Sequence, residues 1–474
     1  MTGKEPKLKI YGDTRKKSDK LKKIISKPPY INSTIRISGD KSISHRAAIL
    51  NAMAEGTAEV KNFCVGDDQE SVIRCLKSLG TKITHTIDYQ DNHPIHSFTI
   101  IGNGKNGFKE PKSPLDCGNS GTCMRLISGL LAGQKFNTLV IGDDSLSKRP
   151  MNRIANPLKL MGANIRPLNN SSKDEIRAPF EIKGSNLNNI NYKSPVSSAQ
   201  VKSCILIAGA YADGVTTITE PTKSRDHTER MMKAMGAKIE ITDKKISIEN
   251  SKLKAQNVVI PGDISSAAFW IILAACHENA ELFIPNIGLN PTRTGILEVL
   301  TKMGARINIS NQKTELGEPR GDLTVKSSNL TGINIEGSII PKIIDEIPIL
   351  ALAACYASGE TVIKDAQELR VKESDRIKAT VQGLFKLGAD ISETKDGMII
   401  KSSPNLQGSE VNSYGDHRIA MMLGISGLLT EGQTTITNAE AANISYPNFW
   451  DQIDNFYYYI NMNKKNTIFL ISGP

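Results

Sequence analysis

Met232-Lys-Ala-Met-Gly236, followed by Ala237-Lys-Ile-Glu-Ile-Thr242, reads as the last turn of an amphipathic helix, a glycine stop and an alternating strand. The same phrase stands at Leu76-Lys-Ser-Leu-Gly80, Leu158-Lys-Leu-Met-Gly162, Leu300-Thr-Lys-Met-Gly304 and Phe385-Lys-Leu-Gly388. Its glycines lie 82, 74, 68 and 84 residues apart, too far for a solenoid and suited to a repeated globular unit. A common helix stop would explain one copy; five argue for internal duplication. Between the glycines lie further short strands, such as Thr216-Thr-Ile-Thr219 and Thr361-Val-Ile-Lys364, and further helices such as Ala267 to Ala275. Each unit therefore holds several strands and about two helices.

Val259-Ile-Pro-Gly-Asp263 restarts a strand and a Gly-Asp turn as Ile35-Arg-Ile-Ser-Gly-Asp40 does, which places the main boundary near residue 261 and gives two halves of three units. A chain of 474 residues is long enough to require at least two domains. Neither a spanning apolar stretch nor the apolar core of a secretory signal is present, so a cytoplasmic enzyme is expected. The seven cysteines are scattered, never form a C-x-x-C pair, and read as reduced core or near-site residues. His93 and His96, in the loop Asp91 to His96, are the histidines close enough in sequence to suggest a metal, but the segment adds no soft ligand and no metal is expected.

The formal charge of +10 is concentrated: residues 1 to 30 hold ten Lys/Arg against three Asp/Glu, which leaves +3 for the rest. This points to a basic, disordered leader over residues 1–29 rather than to an arm for nucleic acid or membrane, since no aromatic-rich basic patch accompanies it.

Five segments lead small residues into an apolar helix with cations or amides at its start, where unpaired N–H groups and the dipole attract anions. They are Gly39-Asp-Lys-Ser-Ile-Ser-His-Arg46, Gly118-Asn-Ser-Gly-Thr122, Ser197-Ser-Ala-Gln-Val-Lys202, Arg370-Val-Lys-Glu-Ser-Asp-Arg376 and Gly415-Asp-His-Arg418. Leu146-Ser-Lys-Arg-Pro150 adds a further cation. Any one is weak; together they argue for a small polyanionic ligand. Ser42 with Arg46, and Lys372 with Arg376, are i,i+4 pairs able to share one carboxylate or phosphate. No nucleotide-binding glycine motif appears, so no cofactor is expected. Asp345 and Glu346 interrupt an apolar run, where ionised groups are costly; a general base and a helix cap before Ala351 to Ala354 explain them equally well.

From about Ile31 to Ile453 these segments, in this order, resemble the 5-enolpyruvylshikimate-3-phosphate synthase family. The resemblance rests on Gly39-Asp-Lys-Ser, Gly118-Asn-Ser-Gly-Thr122, Lys148-Arg-Pro150, Ser198-Ala-Gln-Val-Lys202, Arg225-Asp-His-Thr-Glu229, Asn290-Pro-Thr-Arg293, Asp345-Glu346, Leu369 to Arg376 and Asp416-His-Arg418. Several are similar to the family's second class, which includes glyphosate-tolerant enzymes. The fold this implies is α/β, a two-domain inverse α/β barrel of six βαβαββ units, three per domain. Residues 39–260 would form the first domain, 30–38 plus 261–460 the second, and 461–474 a tail whose Asn466 to Pro474 resembles the opening strand of a nucleoside-monophosphate kinase.

The activity implied is transfer of the enolpyruvyl group of phosphoenolpyruvate to shikimate 3-phosphate by a monomer without metal or cofactor. By the same resemblance, Lys41, Ser42, Arg46, Ser198, Ala199, Gln200, Arg225, Asp345 and Lys372 would hold shikimate 3-phosphate. Lys41, Asn119, Gly121, Arg149, Gln200, Arg376 and Arg418 would hold phosphoenolpyruvate. Asp345 would be the base, and Lys41 or a cation paired with Glu373 the acid. Ala199 and Ile444 replace a serine and a lysine of the other class. The rival readings are a UDP-N-acetylglucosamine enolpyruvyl transferase and a non-catalytic polyanion-binding protein.

Overall fold

The structure, a computed structural model, describes residues 21–90, 93–168 and 175–457. One strand pattern recurs in five sheets among the described residues. In Leu115–Asp116, Asn137–Ile141, Asn164–Pro167 and Phe180–Lys183, the first two strands run parallel, and the fourth lies antiparallel between the second and third. Five four-stranded sheets share this order, and a sixth, three-stranded one keeps part of it.

The recurring glycines belong to this pattern. Gly80, Gly162, Gly236, Gly304 and Gly388 all adopt φ between 89° and 101°, the left-handed conformation that costs a Cβ-bearing residue most. At Gly80 the cap is complete: its N–H reaches the Lys77 carbonyl and that of Thr81 reaches Leu76, both at 3.0 Å. The amphipathic helices ahead of these stops, such as Asp67–Ser78 and Arg376–Lys386, bury their apolar side chains and expose their polar ones.

Each unit also contains a helix apolar on nearly every side. Ile264–Cys276 (ISSAAFWIILAAC) and Ile347–Tyr356 (IPILALAACY) are buried almost throughout, as a helix without a polar face must be. Lys41–Met53, Gly121–Ala132, Ala199–Gly209 and His417–Gly427 are their counterparts. Two separate cores result, one from Ile43 to Ile260 and one combining Ile25–Ile37 with residues 264–456.

The chain passes between the cores twice, and the two passages are bonded together: Asp40 N–H donates to the Pro261 carbonyl at 2.7 Å, and Asp263 N–H to Ser38 at 3.1 Å. Neighbouring strands also cross the chain order. Val258–Val259 pairs with Val60 and Lys61 of the first unit, and Ile31–Thr34 with Ala280–Phe283 of the fourth.

The expected leader over 1–29 needs correction at its end. Lys22–Ser26 is a strand, antiparallel to Gln433–Thr437, and completes the sixth sheet. Ile25 is buried in the second core, while Lys23 pairs with Asp454 and Lys27 with Glu278 and Glu431. Lysine density hid this strand, because one buried isoleucine among cations carries little alternation. Residues 1–20 and the 461–474 tail lie outside the described residues.

The segment with His93 and His96 is also not a loop but the start of the strand His93–Ile101. Its two-residue period puts the two side chains on opposite faces, and His96 stacks on His85 of the neighbouring strand instead.

Candidate active site

Asp40 and Asp263, one at each passage, cap equivalent helices. Asp40 Oδ1 accepts from the N–H groups of Ser42 and Ile43 at 2.7 and 2.9 Å, and Asp263 Oδ1 from Ser265 at 2.9 Å. Arg293 bridges them, with Nη1 3.0 Å from Asp40 and Nη2 3.0 Å from Asp263. A buried guanidinium thus fixes the two helix starts relative to each other.

On the second-half side, Arg376 is almost wholly buried and gives each nitrogen to a carboxylate: Nε to Asp416 at 2.9 Å, Nη2 to Glu373 at 2.6 Å and Nη1 to Asp345 at 3.5 Å. The other oxygen of Asp345 accepts from Arg225 of the first half at 3.0 Å. Burial would raise the Asp345 carboxyl, but Arg225, Arg418, Lys372 and Arg376 hold it well below the ordinary carboxylate range. Neighbouring Glu346 shifts the opposite way, raised by burial and by the charge of Asp345, and accepts a short hydrogen bond from Ser265. The capping alternative fails for Glu346: it occupies the cap position of Ile347–Tyr356 without a capping hydrogen bond.

Around the same cleft, Arg418 donates Nη1 to the Ser265 carbonyl at 3.3 Å, while its buried Nε meets no acceptor among the described residues. His417 beside it is pushed down to about 3 by burial and by Arg418 and Arg376, so it is neutral.

The first half supplies the facing wall. Lys41 forms an ion pair with Asp68. Arg46 is buried and donates to Thr228 Oγ1 at 2.7 Å, Ser203 Oγ at 2.8 Å and the Ser42 carbonyl at 2.9 Å. Its role is therefore at least partly to brace the Ser42 turn. Asn119 Oδ1 accepts from Arg149 at 2.8 Å, and Asn119 Nδ2 donates to Asp143 at 2.8 Å. Gly121 opens its helix so close to Arg149 that an added Cβ would lie 3.4 Å from Nη1. Gln200 donates to Thr122 at 2.9 Å and accepts a short bond from Arg125. Ser198 caps the helix that begins at Ala199.

The structure brings Asp345, Arg225, Arg376 and Glu373 into one connected network. Lys372 contributes charge to Asp345, but its amine bonds to exposed Glu368 at 2.8 Å. Several structural partners were missed. Lys202 is buried between Glu220 at 2.9 Å and Glu229 at 2.8 Å. Asn290 joins Asp226 at 2.8 Å to Glu318 at 3.0 Å, and Glu318 also takes His227 at 2.9 Å. A charged residue inside an otherwise apolar segment was the available signal for Lys202; nothing local indicated its partners.

A sequence model of one family, described as EPSP synthase (3-phosphoshikimate 1-carboxyvinyltransferase), matches residues 25–453. The 3-phosphoshikimate 1-carboxyvinyltransferases of Bacillus cytotoxicus and Bacillus cereus are each 50% identical over 424 residues, covering 89% of this chain and 97% and 96% of theirs. A solved EPSP synthase of Acinetobacter baumannii aligns with TM-score 0.84 at 42% identity, over 92% of this chain and 97% of that one.

Proposed function

The chain belongs to the EPSP synthase family, and from that membership and the cleft geometry we infer how its residues divide the work of the reaction. The activity is transfer of the enolpyruvyl group of phosphoenolpyruvate to the 5-hydroxyl of shikimate 3-phosphate, with release of phosphate. The observation that carries the assignment of roles is the position of Asp345, a carboxylate between Arg225 of one half and Arg376 of the other.

Shikimate 3-phosphate lies against Lys41, Ser42, Arg46, Ser198, Ala199, Gln200 and Arg225. Its phosphate competes with Asp345 for the Arg225 guanidinium. Once Arg225 turns to the phosphate, Asp345 loses a cation that suppresses its basicity and accepts the 5-hydroxyl proton more readily. Lys372 adds positive charge beside the same carboxylate. Phosphoenolpyruvate lies against Asn119, Gly121, Arg149, Gln200, Arg376 and Arg418, where the free Arg418 Nε is ready for an anionic oxygen.

The hydroxyl oxygen attacks C2 while C3 takes a proton, giving a tetrahedral adduct; C3 then returns a proton, the double bond reforms and phosphate leaves. Fixed guanidinium groups stabilise the charge that develops. Glu373 is bonded to Arg376, whose own pKa, despite burial, is raised by Asp416 and Glu373. Such a guanidinium does not give up a proton. Lys41 is therefore the cationic acid, and Glu373 remains the candidate proton carrier on the enolpyruvyl side.

Both walls of the cleft come from one chain, which supports a monomer as the working unit. No helix among the described residues is long and apolar enough to cross a membrane, and we place the enzyme in the cytoplasm. Phosphate release from phosphoenolpyruvate, measured with shikimate 3-phosphate and separately with UDP-N-acetylglucosamine, tests the reading. Turnover with the UDP-sugar alone would assign the rival activity, and none with either would leave a polyanion-binding protein.

A further inference from the structure

Three cysteines that the sequence scatters meet outside the groups the transfer chemistry uses. Cys75 lies on the Asp67–Ser78 helix, Cys117 directly follows the strand Leu115–Asp116, and Cys123 is in the first turn of Gly121–Ala132. All three are buried, and their sulfur atoms lie within 4.8 Å of one another. Cys123 Sγ is 3.9 Å from Cys75 Sγ. Sulfurs sharing a metal at about 2.3 Å stand about 3.8 Å apart in a tetrahedral arrangement and about 4.0 Å apart in a trigonal one. The Cys75–Cys123 spacing falls between these, and with every pair within 4.8 Å closure on an ion requires a shift of less than about 1 Å in any pair.

Donor chemistry narrows the occupant. The set is all sulfur, which favours soft or borderline d10 cations over magnesium or calcium. Three thiolates around a divalent ion leave one net negative charge. Arg74 lies at the edge of the cluster, where its Nη2 donates to the Asp116 carbonyl at 3.0 Å and pairs with the Asp116 carboxylate at 3.7 Å, and the Cys75 thiol reaches the same carbonyl at 3.5 Å. From this geometry we propose that Cys75, Cys117 and Cys123 form a three-thiolate site for a divalent d10 cation of the zinc or cadmium type. A bound cation would tie the Asp67–Ser78 helix to Cys117 and Cys123, which flank Asn119 in the turn and Gly121 at the helix start. The site thus sits behind one wall of the cleft.

Cadmium is the probe. The reduced, metal-stripped full-length protein should take up one equivalent of Cd2+ with thiolate-to-metal charge-transfer absorption, and X-ray absorption should show three sulfurs around the ion. Cys75→Ser, Cys117→Ser and Cys123→Ser should each lose that equivalent. A variant with Cys64, Cys204, Cys276 and Cys355 changed to Ala should keep it. Uptake unchanged by the three serine variants would overturn the proposal. So would a folded wild-type protein that binds no Cd2+, or a metal shell with fewer than three sulfurs; both readouts use the unmutated chain and stand even where a variant misfolds.

Discussion

Arg225 Nη2 and Asp345 Oδ2 are 3.0 Å apart and link the two halves of the molecule through the proposed catalytic carboxylate. Asp345 is thus an interdomain contact as well as the proposed base for the hydroxyl proton. Asp345→Ala should lower kcat by about a hundredfold or more, the lower end of a general base's contribution. Calorimetric binding of shikimate 3-phosphate should survive, because most of its proposed anchors lie on the first half. Near-normal turnover would remove Asp345 from the mechanism.

The same ion pairs predict a pH dependence of stability. Asp345 is held below its ordinary value in the folded state, so between the two values the unfolded chain binds more protons and stability rises with pH. Its contribution is fully present above about pH 4, the ordinary aspartate value, and declines as the pH falls towards the lower folded value. Urea midpoints of wild type and Asp345→Asn should differ by a constant amount from pH 7 to about pH 5, and the gap should begin to narrow as the pH falls below about 4. A gap that failed to narrow between about pH 4 and pH 3 would show that the Asp345 charge contributes nothing to it.

The sequence made the repeat legible because a helix stop is local: Gly236 and its four counterparts need only their own backbone to end a helix. Asp345 was visible because it breaks an apolar run, although its partners were not. Arg293 pairs with Asp40 and Asp263 from distant segments, and Lys22–Ser26 finds its partner strand at the other end of the described chain. Neither contact leaves a local pattern. The seven cysteines read correctly as free and largely buried, but the meeting of Cys75, Cys117 and Cys123 left no local pattern, since they come from three separate segments with no metal-site spacing.

The terminal strand gives a direct test. Ile25 is its buried residue, and truncating a buried isoleucine to alanine typically costs about 2–5 kcal/mol. Ile25→Ala should lower the urea midpoint accordingly, and removal of residues 1–28 should lower it further by deleting the five-residue pairing with Gln433–Thr437. An unchanged midpoint in the truncated protein would show that this strand is dispensable.

Gly121 controls the space beside Arg149. A single methyl there meets Arg149 Nη1 at 3.4 Å and Leu146 Cδ1 at 3.7 Å, which is ordinary contact. Gly121→Ala should therefore be tolerated with a modest rise in KM for phosphoenolpyruvate. Gly121→Leu must displace the guanidinium, and a displacement of about 1 Å can cost about a hundredfold in kcat/KM. Equal kinetics for the two variants would place phosphoenolpyruvate elsewhere.

Lys202 tests whether a buried charge network supports the first-half wall. Its amine lies 2.9 Å from Glu220 and 2.8 Å from Glu229, and all three side chains are about 1% exposed. Glu220 in turn accepts from Ser198 N–H at 3.2 Å and Ser224 Oγ at 2.6 Å, and so holds the segments that present Ser198 and Arg225. Lys202→Met leaves two buried carboxylates without their shared cation, and breaking such a network from one side costs about 3–5 kcal/mol. The urea midpoint should fall, and KM for shikimate 3-phosphate should rise more than KM for phosphoenolpyruvate. Adding Glu220→Gln and Glu229→Gln removes the uncompensated charge and should recover much of the lost stability. If the triple variant were no more stable than Lys202→Met, the loss would come from packing around the lysine stem rather than from stranded carboxylates.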